Sequence, residues 1–350
     1  MNLVCGFPSP IRCFSSINFC RYNSTKAADP LRILFCGSDE FSIASLRALN
    51  KAHQTYPELI TSINVVHRPG KKTGRGLKVI REVPIKQVAV EELKLDTHEI
   101  DTFTGWTPPD LINLVVAVSF GLLVPPRILN KAKYGGLNVH PSLLPDLRGP
   151  APLHHTLLKK RTKIGITVQT LHPKHFDQGM IVAQTPSPGL DIPFSATLSE
   201  LTHSMGVLGG QMLVDVLRTR SFVPPIEDAG WYTNSGGPTD HAEKITKQHR
   251  YIDFSTATAE DIILRHQVLG DLWCTMDDGQ RVIFHEFQLS DLNYDGDTRT
   301  GFFILDESSN APLLARTGDN RVLKILSSTI GGGKRGQGNQ AVKHALASTT

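Results

Sequence analysis

Short apolar runs alternate along this chain with stretches whose apolar residues recur at helical spacing. That alternation restricts most of the chain to an α/β fold built on a parallel sheet. Leu31-Arg-Ile-Leu-Phe-Cys36, closed by Gly37-Ser38, reads as a buried strand, and the next segment sets Ile43, Leu46 and Leu49 on one helical face. Ile60–Val66 repeats the strand pattern. Pro84–Leu95 reads as a helix, Leu111–Phe120 as one continuous strand, and Pro125–Ala132 as a helix with prolines at its start. Leu137–His140 and Ile164–Leu171 supply further strands. Thr197-Leu-Ser-Glu200 is a capping box, and it opens a helix carrying Leu198, Leu201, Met205, Leu208, Met212 and Val216 on one side.

The texture changes after residue 220. Residues 221–240 hold Pro224-Pro225, Gly230, Asn234 and Gly236-Gly237-Pro238, a linker composition. Beyond them a helix (Ala259–Val268) precedes short apolar runs around Trp273–Met276, Val282–Phe287, Gly301–Leu305 and Val322–Ile325. Strands at this spacing suggest a small β-barrel. The expected division is a leader over 1–28, an α/β domain over 29–220, a linker over 221–240 and a barrel domain over 241–350.

Residues 1–28 contain Arg12, Arg21 and Lys26 and no acid. Pro8, Pro10, Arg12 and Ser15-Ser16 interrupt the apolar centre that a secretory signal needs, so the segment fits a mitochondrial presequence, with processing expected near Arg21-Tyr22-Asn23-Ser24. A disordered terminus with no address is the alternative. The formal charge of +4 belongs mostly to this leader, which leaves any basic surface elsewhere to local clustering. Three of the five cysteines also lie here, and only Cys36 and Cys274 remain, which speaks for a reducing compartment and against a disulfide scaffold. No apolar run approaches the ~18 residues of a membrane span.

The first strand–helix junction, Gly37-Ser-Asp-Glu-Phe-Ser42, holds one glycine, so a dinucleotide-binding turn is disfavoured. No phosphate-binding G-x-x-x-x-G-K-[ST] occurs either. Chemistry concentrates instead in Gly136-Leu-Asn138-Val-His140-Pro-Ser142-Leu-Leu-Pro145-Asp-Leu-Arg148-Gly149-Pro-Ala-Pro152. On a strand, Asn138 and His140 project from the same face. An amide donor beside an imidazole suits acyl transfer: the amide stabilises a developing oxyanion and the ring moves a proton or holds charge. A carboxylate would set the histidine's protonation, and Asp177 follows a strand, in a loop. Ser142 lacks a nucleophile-elbow sequence, so direct attack by a substrate amine is the simpler scheme. Taken alone, Asn-x-His fits equally a buried structural histidine beside a strand-end asparagine. His154-His155 and His172-x-x-His175 have no cysteine companions, and no metal site is expected.

The extended pattern Asn-x-His-x-Ser-Leu-Leu-Pro-x-x-Arg-Gly-x-x-Pro, with Asp-x-Gly some way downstream, resembles the folate-dependent formyltransferase family in order, spacing and flanking residues. The resemblance implies a Rossmann-like parallel-sheet formyltransferase domain followed by an OB-like β-barrel. It also implies 10-formyltetrahydrofolate as formyl donor and Asn138, His140 and Asp177 as the catalytic triad. Ser142, Leu143, Leu144 and Pro145 match the loop flanking the folate, and Phe120, Gly121 and Leu122 match a backbone-lined pterin pocket. Two departures stand out. The stretch from Thr167 to Asp177 is longer by one residue through Leu171-His-Pro-Lys-His175, and Phe-Asp-Gln-Gly-Met180 replaces the usual Leu-Asp-Thr-Gly followed by an acid.

Residues 67–81 carry six lysines and arginines, three glycines and no acid. A mobile cationic loop of this kind suits a phosphate backbone, although an isolated charge run also fits a merely solvated loop. It resembles the insertion that marks the branch of the family acting on initiator methionyl-tRNA. That carries Arg75 over as the reader of the acceptor end and Lys71, Lys72 and Lys78 as phosphate contacts. Near the C-terminus Gly332-Gly-Lys334-Arg335-Gly resembles a terminal basic motif of the same branch, with Lys334 and Arg335 as further tRNA contacts. The expectation is a monomeric mitochondrial matrix enzyme that formylates initiator methionyl-tRNA, needs no metal and does not enter the membrane. A formyltransferase acting on glycinamide ribonucleotide and a catalytically degenerate RNA-binding protein are the rivals.

Overall fold

A computed structural model describes residues 26–108, 111–292, 300–305 and 311–347. Nearly all of the expected presequence therefore lies outside the described residues. The chain opens with β1 (Leu31–Gly37), α1 (Glu40–Thr55) and β2 (Ile60–His67), then a hairpin of β3 (Lys71–Thr73) and β4 (Val79–Arg81). Next come α2 (Pro84–Gln87), β5 (Thr97–Glu99), β6 (Leu114–Val118), α3 (Pro126–Leu129), β7 (Gly136–His140) and α4 (Pro152–Leu158). β8 (Lys163–Ile164), β9 (Thr167–Thr170), β10 (Ile181–Gln184), β11 (Leu190–Asp191) and α5 (Leu198–Thr219) complete the first part.

Seven strands form one sheet in the order β10-β9-β7-β6-β1-β2-β5. The five from β7 to β5 run parallel, and β9 and β10 add antiparallel pairs at one edge. Strand order reverses between β1 and β6, which leaves a crevice beyond their carboxyl ends, the usual ligand position in open α/β sheets. One face of the sheet packs on α1 and α5 around Phe35, Leu46, Val116, Val139 and Leu213; the other buries Leu34, Val115, Phe120 and Ile128. Thr197 and Glu200 form the expected capping box of α5.

Local chemistry shortens several expected elements. The Leu111–Phe120 run is a strand only over Leu114–Val118. At its start the Asn113 amide accepts from Arg32 N (2.7 Å) and donates to the Pro30 carbonyl (2.8 Å), and at its end Ser119 turns to φ 48°. The run Ile164–Leu171 divides between two sheets, because Ile166 N is satisfied by the Thr185 hydroxyl (2.8 Å) rather than by a ladder partner. The helix expected over Pro84–Leu95 keeps tight α-geometry only to Gln87 before a wider turn over Val88–Glu92. The helix expected over Pro125–Ala132 spans Pro126–Leu129.

The C-terminal part contains α6 (Ala259–Leu269), β12 (Leu272–Thr275), β13 (Arg281–Leu289), β14 (Gly301–Phe303), β15 (Leu313–Arg316), β16 (Val322–Ile330) and α7 (Gly338–Ala347). Its strands form an antiparallel sheet in the order β12-β13-β16-β15-β14, irregular between Phe284 and Phe287, a half-barrel that fits the small barrel domain expected. Phe254 packs edge-on against both Phe284 and Phe302, with the three ring centroids 5.4–5.9 Å apart. No described helix is long and apolar enough to cross a membrane.

The crossing between the two parts is tied down by polar bonds. Trp231 N and Tyr232 N both donate to the Gln184 side chain (3.1 and 3.2 Å), and Trp231 Nε1 donates to Thr185 O (2.7 Å). Arg161 bridges the buried Asp146 to Asp240, whose own N–H donates back to Asp146 (2.9 Å). Removing the guanidinium leaves Asp146 as an unpaired buried charge. Arg161→Leu is therefore expected to cost about 3 kcal/mol of stability, read as a lowered urea midpoint of the whole chain.

Candidate active site

Period-2 alternation along β7 sends Leu137 and Val139 into the helix-covered core and sets Asn138 and His140 on the opposite face. Asp177, from the loop between β9 and β10, comes to meet them. Its Oδ1 accepts from Asn138 Nδ2 (3.2 Å) and lies 3.5 Å from His140 Nδ1, while Oδ2 accepts from Gly149 N (2.9 Å). The Asp177 side chain is only 9% exposed, so these donors replace the water a carboxylate requires. On the other side of the ring, His140 Nε2 faces Leu147 O at 3.0 Å. Both ring nitrogens thus address oxygen acceptors, and these fix the plane of the imidazole.

Two glycines make this convergence sterically feasible. A Cβ at Gly179 would fall 1.7 Å from Thr170 O, which explains the Asp-x-Gly spacing; Asp177 itself adopts φ 54°. A Cβ at Gly149 (φ 126°) would fall 2.3 Å from Ala242 O, so the Arg-Gly step lets the second part of the chain press against the site. Gln169, absent from the expected set, faces Asn138 across the β7–β9 ladder. It donates to Asp177 Oδ1 (3.3 Å) and accepts from Gly179 N (3.1 Å), holding both ends of the Asp-x-Gly turn.

The three residues open onto a cavity of about 520 Å³. Phe120, Gly121 and Leu122 line it, as do the unanticipated Asp39, Phe41, Ser119, His172, Phe176 and His241. Asp39 caps α1 by accepting from Ser42 N (3.0 Å), and crowding by protein raises its pKa against the hydrogen bonds of Ser42 and Ser119. Ser142, Leu143, Leu144 and Pro145 do not line the cavity. Ser142 donates to Asp146 O, and Leu144 is held between Thr167 and Gln184, so this loop forms the buried backing behind His140.

The basic segment expected as a mobile loop is folded as the β3–β4 hairpin, with Arg75–Leu77 in its connecting turn. Lys71, Lys72 and Lys78 are exposed on it beside Leu77, Val79 and Ile80, apolar side chains each about 60% exposed. Lys334 and Arg335 are exposed in the turn before α7. Among the described residues no three His, Cys, Asp or Glu side chains gather as a metal site.

A parallel sheet with an Asn–His–Asp cluster at its crevice sets an amide, an imidazole and a carboxylate on one cavity. Residues 31–217 match the formyl transferase family, and the chain belongs to that family. It is 32% identical to the mitochondrial methionyl-tRNA formyltransferase of Saccharomyces cerevisiae, covering 86% of each chain. To the human mitochondrial methionyl-tRNA formyltransferase it is 34% identical, over 76% of this chain and 65% of that one. Its fold is similar to that of the N-formyltransferase from Helicobacter canadensis in complex with folinic acid and dTDP-3-aminofucose. That likeness has a TM-score of 0.52 and 14% identity, over 84% of this chain and 98% of the other.

Gly179→Ala is expected to displace Asp177 and to lower the turnover rate of formyl transfer about a hundredfold. A steady-state assay alongside a melting curve would show the loss in a chain that still folds.

Proposed function

We infer that this enzyme transfers the formyl group of 10-formyltetrahydrofolate to the amine of initiator methionyl-tRNA, in the mitochondrial matrix. The observation that carries the reading is the Asp177 carboxylate gathering Asn138 and His140 at the mouth of a ligand-sized cavity. The yeast and human relatives bear the name of that activity, and both are called mitochondrial. The acid-free composition of residues 1–28 supports import.

The step needs no intermediate on the protein. An aminoacyl amine is largely neutral near pH 8; its lone pair attacks the formyl carbon, and the carbonyl oxygen becomes an oxyanion. Asn138 uses one amide hydrogen on Asp177, which leaves the other for this oxygen, and His140 lines the same cavity. As the tetrahedral intermediate collapses, the bond from carbon to N10 breaks. The amine loses a proton and N10 gains one as that bond breaks, so formamide and tetrahydrofolate leave with atoms balanced. His140 keeps both ring nitrogens on oxygen acceptors beside the reacting carbon, and Asp177 holds the ring in that orientation.

In this reading residues 29–220 perform catalysis and 241–350 hold tRNA, with Phe120, Gly121 and Leu122 against the pterin. Arg75 reads the acceptor end, and Lys71, Lys72, Lys78, Lys334 and Arg335 meet phosphates. One chain supplies the triad, the hairpin and the basic turn, which is why a monomer suffices.

The test combines protein lacking residues 1–28 with 10-formyltetrahydrofolate and methionyl initiator tRNA, with glycinamide ribonucleotide as a parallel acceptor. Formyl transfer to tRNA alone is expected. His140→Ala should abolish transfer and leave tRNA binding within about twofold, since the ring contacts no phosphate in this reading. Transfer to the nucleotide, or none to either, would overturn the reading. Replacing Lys71, Lys72 and Lys78 together by alanine should flatten the slope of log affinity against log salt by about one unit per lysine, measured by filter binding.

A further inference from the structure

Two carboxylates face the cavity, and one of them stands outside the Asn138–His140–Asp177 cluster. Asp39 and Asp177 are the only acids among the described residues that line it. Asp177 receives N–H groups on both oxygens, from Asn138 and Gln169 on Oδ1 and from Gly149 on Oδ2. Asp39 is less occupied. Its Oδ1 accepts from Ser42 N (3.0 Å) and the Ser119 hydroxyl adds a hydrogen bond, against the roughly four lone-pair positions a carboxylate offers. Among the described residues no Lys, Arg or His side chain pairs with it. The side chain is exposed to the cavity while protein crowds its other sides, and that crowding raises the pKa of the carboxyl. Asp39 also caps α1, whose positive end favours the anion. An uncompensated negative charge is therefore open to whatever enters the cavity.

Asp39 lies two residues beyond the end of β1, at the crevice where strand order reverses. Gly37 of β1 pairs with Val118 of β6, and Ala117 of β6 pairs with Asn138 of β7, so the carboxyl ends of the three strands are level. Asp39 and the Asn138–His140 pair thus stand on opposite sides of β6, two strand spacings or about 10 Å apart. We propose that Asp39 anchors the acceptor amine: its carboxylate accepts N–H hydrogen bonds from the aminoacyl nitrogen and holds that nitrogen facing Asn138 and His140. The proposal rests on the amine acceptor inferred above. A primary amine has two hydrogens and one lone pair. With the hydrogens on Asp39, the lone pair turns away from it, toward the far wall of the crevice. Contacts of about 3 Å on each side of the nitrogen fit the span between the two walls. The alternative ligand at this end of α1, a phosphate, is disfavoured because the Asp39 carboxylate already occupies the position and repels a second anion.

The experiment compares the affinity of the full chain for methionyl-tRNA and for the same tRNA esterified with the α-hydroxy analogue of methionine, in which a hydroxyl replaces the amine. Binding is measured without the formyl donor, and kcat and KM for formyl transfer to methionyl-tRNA are measured separately. Asp39→Asn and Asp39→Ser remove the charge but keep a side-chain oxygen for Ser42 N, so α1 stays capped and melting curves close to that of the unmodified chain are expected. The unmodified protein should bind the amine form about tenfold more tightly than the hydroxyl form. Both variants should erase that preference and lower kcat about tenfold. A preference kept by both variants would overturn the proposal and leave Asp39 as a helix cap. Equal affinity of the unmodified protein for the two forms, with formyl transfer intact, would remove this inference alone. Failure of the unmodified protein to formylate methionyl-tRNA would remove the amine acceptor itself.

Discussion

A carboxylate held away from water is the constraint around which this molecule is organised. A buried carboxylate needs donors in place of water, and Asn138, Gln169 and Gly149 supply them to Asp177 while His140 lies alongside. Each donor imposes a demand on the fold. Gln169 faces Asn138 in the register of the antiparallel β7–β9 pair, which reverses the otherwise parallel sheet at that edge. Gly149 N can reach Oδ2 only because the Arg148-Gly149 turn is pinned from behind.

That pinning comes from the distal part of the chain. Ala242 N donates to Arg148 O (2.7 Å), and Ala151 N donates to Ala242 O (3.2 Å), so the segment entering the half-barrel closes the turn that presents Gly149. Arg161, Asp146 and Asp240 reinforce the same junction beneath it. The C-terminal part is thus a structural support of the Asp177 carboxylate as well as the proposed platform for tRNA. Its position cannot shift without moving a donor of Asp177.

Much of this was legible in the residues. Strand–helix alternation announces the parallel sheet, and the single glycine at Gly37 disfavours a dinucleotide turn. Asn-x-His places two functional groups on one face. An Asp in a loop carries no periodic signal; Asp177 stands out because His140 calls for a carboxylate and because the family resemblance assigns it. Gln169 leaves no signal in the sequence, because a buried amide in a β-branched strand looks like any strand residue until its ladder partner is known. Asp39 reads as an ordinary helix cap, which it also is. The ends of β6 and the break between β8 and β9 depend on side chains from distant segments, Asn113 against Pro30 and Thr185 against Ile166, which no local window contains. In residues 71–81 the glycines and charges mask two three-residue strands, so the hairpin leaves no strand signal in the sequence.

The most direct measurement is the single-turnover rate of formyl transfer by Asp177→Asn, with both substrates saturating and their binding measured in parallel. The substitution keeps the shape of the side chain, removes the charge, and turns an amide donor toward groups that themselves donate. The account requires both substrates to bind while the rate falls at least about a hundredfold. A rate close to that of the unmodified protein would show that Asn138 and His140 act without the carboxylate, and would contradict it.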